Sequence, residues 1–135
     1  MSDFRRVTGQ VSVSPQIDPA DIDEAARHGF RLVINNRPDG EAPGQPTSSE
    51  VEAAAHQAGL AYAHIPVRGG PTPAQAEAMR ELIAQAGGPT LAFCRSGTRS
   101  IVTWALGQVM AGAPRDELVA AGAAAGYDLD AVLPR

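Results

Sequence analysis

Apolar and polar positions along this chain fall into blocks that switch between a short apolar run and a helical period, with turn residues between them. From Asp18 the order Asp-Pro-Ala-Asp-Ile-Asp-Glu-Ala-Ala-Arg-His-Gly supplies an N-cap, a proline at the first helical position and Gly29 as a stop. This predicts a short helix. The β-branched run Phe30 to Asn35 follows and ends at Asn36-Arg37-Pro38-Asp39-Gly40, which is turn chemistry. After an irregular stretch from Glu41 to Pro46, Thr47-Ser48-Ser49-Glu50 has the spacing of a capping box for a helix that Gly59 closes. A second strand is predicted over Leu60 to Val67. Thr72-Pro73-Ala74-Gln75 opens another helix, through Met79, Leu82 and Ile83, that stops at Gly87-Gly88. Thr90 to Phe93 is the third strand, and an apolar helix starts at Ile101 and runs to Gly112.

Two further helices are expected over Asp116 to Ala125 and Asp128 to Leu133, and an edge strand near Val7 to Val13. Strand and helix in alternation imply an α/β fold: a small, mostly parallel sheet of four to five strands, covered by helices on both faces. At 135 residues the chain is expected to form a single domain, 1–135, with a motif-bearing core over about 4–112 and C-terminal helices over 113–135.

Composition narrows the chemistry. All 11 basic residues are arginine, so functions that need a lysine amine are excluded, among them a Walker-type phosphate loop and Schiff-base catalysis. The net charge of −4 argues against nucleic acid as a partner. One cysteine, Cys94, and three scattered histidines offer neither an intrachain disulfide nor zinc-ligand spacing, so neither a metal nor a cofactor is expected. The residues from Met1 to Arg6 lead into no apolar signal core, and no window is long and apolar enough for a membrane span; the expected location is the cytoplasm.

The most informative segment is Phe93-Cys94-Arg95-Ser96-Gly97-Thr98-Arg99-Ser100, where a cysteine leaves an apolar strand and a glycine-containing turn enters a helix. Open α/β sheets bind ligands at that end. Successive amides in such a turn converge on an anion, and the helix N-terminus adds about half a unit of positive charge. A thiol in this cradle is expected to ionise readily and act as a nucleophile. Cys94 and Arg99 are therefore the candidate catalytic residues, with Arg95, Ser96, Gly97, Thr98 and Ser100 as candidate anion-binding residues. A lone cysteine at a strand end is more often a small buried apolar residue. Here two arginines, three hydroxyls and a glycine follow within six positions, a composition that is costly to bury unpaired.

This loop is similar to the Cys-Arg-x-Gly-x-Arg active-site loop of rhodanese-type sulfurtransferases. Together with Ser14-Pro15-Gln16-Ile17, Val33 to Glu41 and Tyr62 to Val67, it makes the chain resemble the bacterial beta-lactamase hydrolase-like protein phosphatase-like family, also catalogued as a sulfur transferase, over roughly residues 4 to 112. The resemblance implies a fold like the dual-specificity protein tyrosine phosphatases, with Cys94 in the nucleophile position. Two departures stand out. The phosphatase pattern has five residues between Cys and Arg, usually with His before the Cys; here Phe93 precedes Cys94 and four residues separate it from Arg99. Phosphatases of that class also carry an Asp general acid near the position of Val67 to Pro71, where this chain has no acid, although Asp39 or Glu41 is a candidate substitute from another loop.

The leading expectation is a cysteine-dependent sulfurtransferase. Cys94 takes a sulfane sulfur from thiosulfate or a persulfide and passes it to a thiol, sulfite or cyanide, with a persulfide dioxygenase-type partner implied by the family. The alternatives are a phosphatase-like hydrolase of phosphorylated, phosphotyrosine-type substrates, and a non-catalytic module that binds an anion or a partner through the same pocket. Arg37 is a secondary anion-binding candidate, against an ordinary turn in which it pairs with a carboxylate. Arg68 reads as an isolated exposed residue, His28 and His56 as helix-end residues, His64 as a strand residue and Trp104 as packing.

Overall fold

A computed structural model of the chain describes residues 2–135. A short N-terminal strand, β1 (Arg5–Arg6), turns back on β2 (Val11–Ser14). Then α1 (Pro19–Arg27), β3 (Leu32–Asn35), α2 (Ser48–Gln57), β4 (Ala61–His64), α3 (Pro73–Gln85), β5 (Thr90–Phe93), α4 (Thr98–Met110) and α5 (Arg115–Ala124) follow in order. The sheet has five strands in the order β1-β2-β5-β3-β4, parallel except for β1. The expected α/β class, strand number and mostly parallel pairing are all present.

Register decides where the loops emerge. Phe93 lies beside Ser14 on one side and Asn35 on the other, and Asn35 lies beside His64, so four parallel strands end in one row. The segments starting at Pro15, Asn36, Ile65 and Cys94 therefore leave the same edge of the sheet, where such folds build their sites.

The two faces of each strand serve different layers, as the period of two requires. Val11, Val13, Leu32, Ile34 and Ala92 pack with Met79, Ile101, Trp104, Leu118 and Leu129 from α3, α4, α5 and the C-terminal segment. On the other face Val33, Leu91 and Phe93 pack with Ile22, Ala25, Val51 and Ala55 from α1 and α2. Each large aliphatic side chain buried this way contributes about 1.5–3 kcal/mol. Trp104 is 5% exposed, in keeping with its packing role. α3 and α4 approach closely at Gly107, where a methyl group would press on the Ala76 carbonyl.

Several boundaries differ from the sequence reading. The strand expected over Leu60 to Val67 is confined to Ala61–His64, in register with Leu32–Asn35; beyond it the Ile65 and Val67 N–H groups still reach the Asn35 and Asn36 carbonyls, but Pro66 between them brings no N–H to continue a regular ladder. β2 is an interior strand rather than an edge, since Arg5 and Arg6 pair with Val13 and Ser12 on its outer side. α4 begins three residues before Ile101, at Thr98. Asp128 to Leu133 is a turn and not a helix: the Asp128 carboxylate accepts from the Asp130 N–H, and the Leu133 amide closes a single turn onto Leu129. A segment this short, stopped by Pro134, cannot offset the cost of helix nucleation.

Candidate functional site

Helices α1, α2 and α3 each start with a capping box, from Asp18, Thr47 and Thr72, that consumes first-turn amides. α4 starts differently. Its N-cap is Gly97, at φ +91°, with no side-chain cap. Of the first-turn N–H groups of α4, that of Thr98 reaches Ser96 Oγ at 3.4 Å, while those of Arg99 and Ser100 have no partner among the described residues, next to the end of β5, an arrangement suited to an anion.

Cys94 sits at the floor of this turn, fully buried. Its Sγ accepts the Gly97 N–H at 3.1 Å, so the loop closes around the sulfur. The loop is tied to the neighbouring strand exit by the Cys94 N–H on the Ser14 carbonyl at 3.4 Å and by the Gln16 N–H on the Arg95 carbonyl at 3.2 Å. Ser96 Oγ donates to Thr98 Oγ1 at 3.0 Å. Ser100 is fully buried and its hydroxyl has no partner, which leaves a donor inside the loop region. Arg95 is exposed and makes no ion pair among the described residues.

Gly97 is required twice over. Its positive φ costs an L-residue roughly 1–2 kcal/mol, and a methyl group built on it would collide with the Tyr127 hydroxyl. Gly97→Ala is expected to lower stability by at least that amount and to reduce activity through a displaced loop, read by thermal melting beside a turnover assay.

Arg99 spans the mouth of the site. Its two terminal nitrogens donate to the two oxygens of Glu41 at 2.8 Å each, and Nη1 also donates to the Val67 carbonyl at 2.9 Å. Glu41 accepts in turn from Arg37 Nε at 2.9 Å, and Arg37 Nη1 donates to Gln16 Oε1 at 3.0 Å. Arg37 is only 4% exposed. Its guanidinium faces Glu41 and Gln16, so it supports Arg99 through the carboxylate. The Arg37 backbone is fixed as well, by the Asn35 side chain on its N–H and by His64 Nε2 at its carbonyl, 2.8 Å away.

Electrostatics follow from this chain of charges. The hydrogen bonds from Arg99, and after them those from Arg37, hold the Glu41 carboxyl at about 2 against the opposing effect of burial. The same contact raises the Arg99 pKa further. Because the Glu41 value in the fold lies below the ordinary 4.5, its stabilisation is complete above that pH and disappears as pH falls toward 2. Glu41→Gln is therefore expected to flatten the acid limb of a melting-temperature profile across that window, with little change in its shape near neutrality.

Of the two candidate acids, Glu41 is not poised to donate a proton. Glu41 is ionised at neutral pH, with both oxygens engaged. Asp39 accepts the Ser48 N–H at 2.8 Å, at the start of α2. The Val67 to Pro71 segment contributes a carbonyl to Arg99 and no acid. Beside Arg99 a largely apolar groove of about 310 Å³ opens between Gly69, Gly70 and Pro71 on one side and Thr98, Val102 and Val132 on the other. No cluster of three or more His, Cys, Asp or Glu side chains that could hold a metal ion occurs among the described residues.

Tyr127 belongs to the site although nothing in the loop motif points to it. Its hydroxyl donates to the Ser96 carbonyl at 2.8 Å, across 31 positions of sequence. Gln16 and the Val67 carbonyl join the site in the same way, through strand ends that the register brings together. His28 ends α1 and stacks edge-on to Phe4, and His56 lies in the last turn of α2, both away from the loop.

Comparison with known proteins agrees with this fold. A Xylella fastidiosa (strain Temecula1) protein named beta-lactamase hydrolase-like protein is 42% identical over 125 residues, which is 91% of this chain and 29% of that protein. The chain thus spans less than a third of the length of the curated relatives it matches. A candidate phosphatase from Neisseria meningitidis Z2491, solved by crystallography, is 33% identical with a TM-score of 0.85, covering 97% of this chain and 94% of that one. TpbA of P. aeruginosa, crystallised with pTyr, shares the fold at a TM-score of 0.66 and 16% identity, over 95% of this chain and 76% of its own. Residues 3–111 match the family model described as beta-lactamase hydrolase-like protein, phosphatase-like domain; the chain belongs to that family, as an enzyme domain on a protein tyrosine phosphatase-like fold.

Proposed function

We propose that this domain is a sulfurtransferase in which Cys94 carries the sulfur. The observation that carries the reading is the state of the acids. The one carboxylate that reaches the loop arginine, Glu41, is locked in its ionised form by Arg99 and Arg37. Expelling an alkoxide or phenoxide from a phosphate ester without a proton donor loses about 10²- to 10⁴-fold in rate. Sulfur transfer has no such need.

In the first step the Cys94 thiolate attacks the outer sulfur of thiosulfate. An S–S bond to Cys94 forms, the S–S bond of thiosulfate breaks, and sulfite leaves with the electron pair. In the second, an acceptor thiolate attacks the outer sulfur of the Cys94 persulfide, becomes a persulfide itself and returns Cys94 as thiolate. Both steps are displacements at sulfur that require neither a second cysteine nor an external redox partner. Arg99, with Arg95 at the rim, supplies fixed positive charge for the dianionic donor, while the Gly97 N–H donates to the sulfur and the N-terminus of α4 adds its positive end beside it.

A second reading is phosphate hydrolysis through a Cys94 phosphoenzyme. It is favoured by the likeness to the Neisseria protein and by the phosphotyrosine held in the TpbA structure. The four-residue spacing from Cys94 to Arg99 and the missing acid weigh against it. Purified protein assayed in parallel for thiosulfate-to-glutathione transfer and for aryl phosphate hydrolysis separates the two. Sulfur transfer at a rate well above phosphate release supports the first reading, and phosphate release alone overturns it.

Residues 1–135 are taken as one folding unit, since Leu118, Leu129 and Leu133 close the core that β2, β3 and β5 begin. A catalytic cysteine that must stay reduced suits a reducing compartment such as the cytoplasm, and no helix of the described residues is long and apolar enough to cross a membrane. The small-molecule partners are a sulfane sulfur donor and a thiol, and a persulfide-consuming dioxygenase is the class of enzyme that would use the product.

A further inference from the structure

The Ser96–Gly97 peptide aims a donor at the nucleophile, with the Gly97 N–H on Cys94 Sγ at 3.1 Å. In a trans peptide the carbonyl and the N–H point in opposite directions. The Ser96 carbonyl must therefore face away from the sulfur whenever the Gly97 N–H faces it. No backbone N–H of the described residues reaches that carbonyl. Tyr127 does, through its hydroxyl at 2.8 Å.

The residue at the pivot does not hold the peptide by itself. Gly97 sits at φ +91°, and glycine adopts either sign of φ with similar ease. Turning the peptide over would swap an N–H for a carbonyl oxygen beside the sulfur, exchanging a donor for a repulsive dipole. A lock is thus needed from outside the loop.

Tyr127 is itself held in place. The Tyr127 N–H donates to the Gly122 carbonyl at 2.8 Å, fixing the backbone after α5. The Arg5 guanidinium lies 5.2 Å from the ring centroid, and the Asp3 carboxylate accepts from Arg5 at 2.9 Å. Two segments distant in sequence, the N-terminal hairpin and the C-terminal turn, converge on one carbonyl of the loop. Tyr127 also lies beyond residues 3–111, the part of the chain that defines the family match.

We propose that Tyr127 is a positioning residue for Cys94: by binding the Ser96 carbonyl it keeps the Gly97 N–H on the sulfur and so stabilises the sulfur anion in both the thiolate and the persulfide. The inference rests on the reading of Cys94 as the nucleophile. It does not depend on which group Cys94 transfers.

The test is Tyr127→Phe, which removes one oxygen and keeps the ring and its stacking on Arg5. Cys94 is the only cysteine, so alkylation by iodoacetamide followed by intact mass reads that thiol alone. The charged and titratable groups around the pair, Arg5 and Asp3 from the N-terminal segment, Arg99 from α4 and Glu41 beyond it, are left unchanged. The midpoint of the alkylation rate against pH is expected to move up. At a pH below both midpoints the rate is expected to fall about threefold to tenfold, the range for a single hydrogen bond. Exchange of the Gly97 amide with solvent is expected to speed up by a similar factor. The kcat for sulfur transfer should drop with KM nearly constant. An unchanged alkylation midpoint with unchanged Gly97 exchange overturns the proposal, even if melting temperature falls. A shifted midpoint in a protein that transfers no sulfur would refute the reaction proposed above and leave the role of Tyr127 standing.

Discussion

Cys94→Ser is expected to reduce thiosulfate-dependent sulfur transfer by at least about 10³-fold, because the covalent route through the nucleophile is lost entirely. A serine hydroxyl is not ionised at neutral pH and forms no persulfide. The side chain differs by one atom and sits fully buried among loop contacts, so the fold is expected to survive with a melting temperature close to that of the parent. Steady-state rates on matched preparations, with circular dichroism to verify folding, check the expectation. Retention of most of the activity would mean that the sulfur never resides on this residue.

The second large effect is expected at Arg99. Arg99→Ala removes the side chain that joins α4 to both Glu41 and the Val67 carbonyl. Loss of a preorganised charged donor from a site of this kind costs about 10²- to 10³-fold in kcat, and kcat/KM for the donor anion is expected to fall at least as far. Arg99→Lys keeps the charge and loses the planar fork that meets both oxygens of Glu41, so it should recover only part of the loss. The KM for the acceptor thiol should change little in either variant, which separates loss of anion binding from general damage to the protein. Equal losses for donor and acceptor would place Arg99 in the structural frame alone.

Much of this architecture is legible in the order of residues, for physical reasons. Three helices announce themselves, two through capping boxes at Thr47 and Thr72 and one through the Asp18 N-cap followed by Pro19, which are local devices that need no tertiary information. The buried strands are legible because both faces of Leu32 to Asn35 and Thr90 to Phe93 are covered, giving short apolar runs. The Cys94 loop stands out through its arginines and hydroxyls. What escapes the sequence is long-range. β1 has two residues and no pattern of its own, yet its pairing turns β2 from an edge into an interior strand. Tyr127 reaches Ser96 because the chain after α5 folds back and sets Leu129 against Gly122 of the helix, and no spacing rule encodes that approach. Arg37 is legible as a turn residue paired with a carboxylate, the arrangement found with Glu41, whereas its contact with Gln16 emerges only once the sheet brings the exits of β2 and β3 to one edge.

The same contrast bears on the chemistry. A phosphatase-like fold and a nucleophilic cysteine leave the transferred group open. In this chain Asp39 accepts from the start of α2 and Glu41 is held by two arginines, and the proposed sulfur transfer rests on that arrangement. That combination suits a leaving group such as sulfite, which departs as an anion without protonation.

The most direct test is the intact mass of the protein after incubation with thiosulfate in the absence of any acceptor thiol. The account predicts a gain of one sulfur atom, located on the Cys94 peptide, lost again on addition of glutathione or cyanide and absent from Cys94→Ser. An unmodified mass under conditions where the same preparation releases phosphate from an aryl phosphate would contradict it.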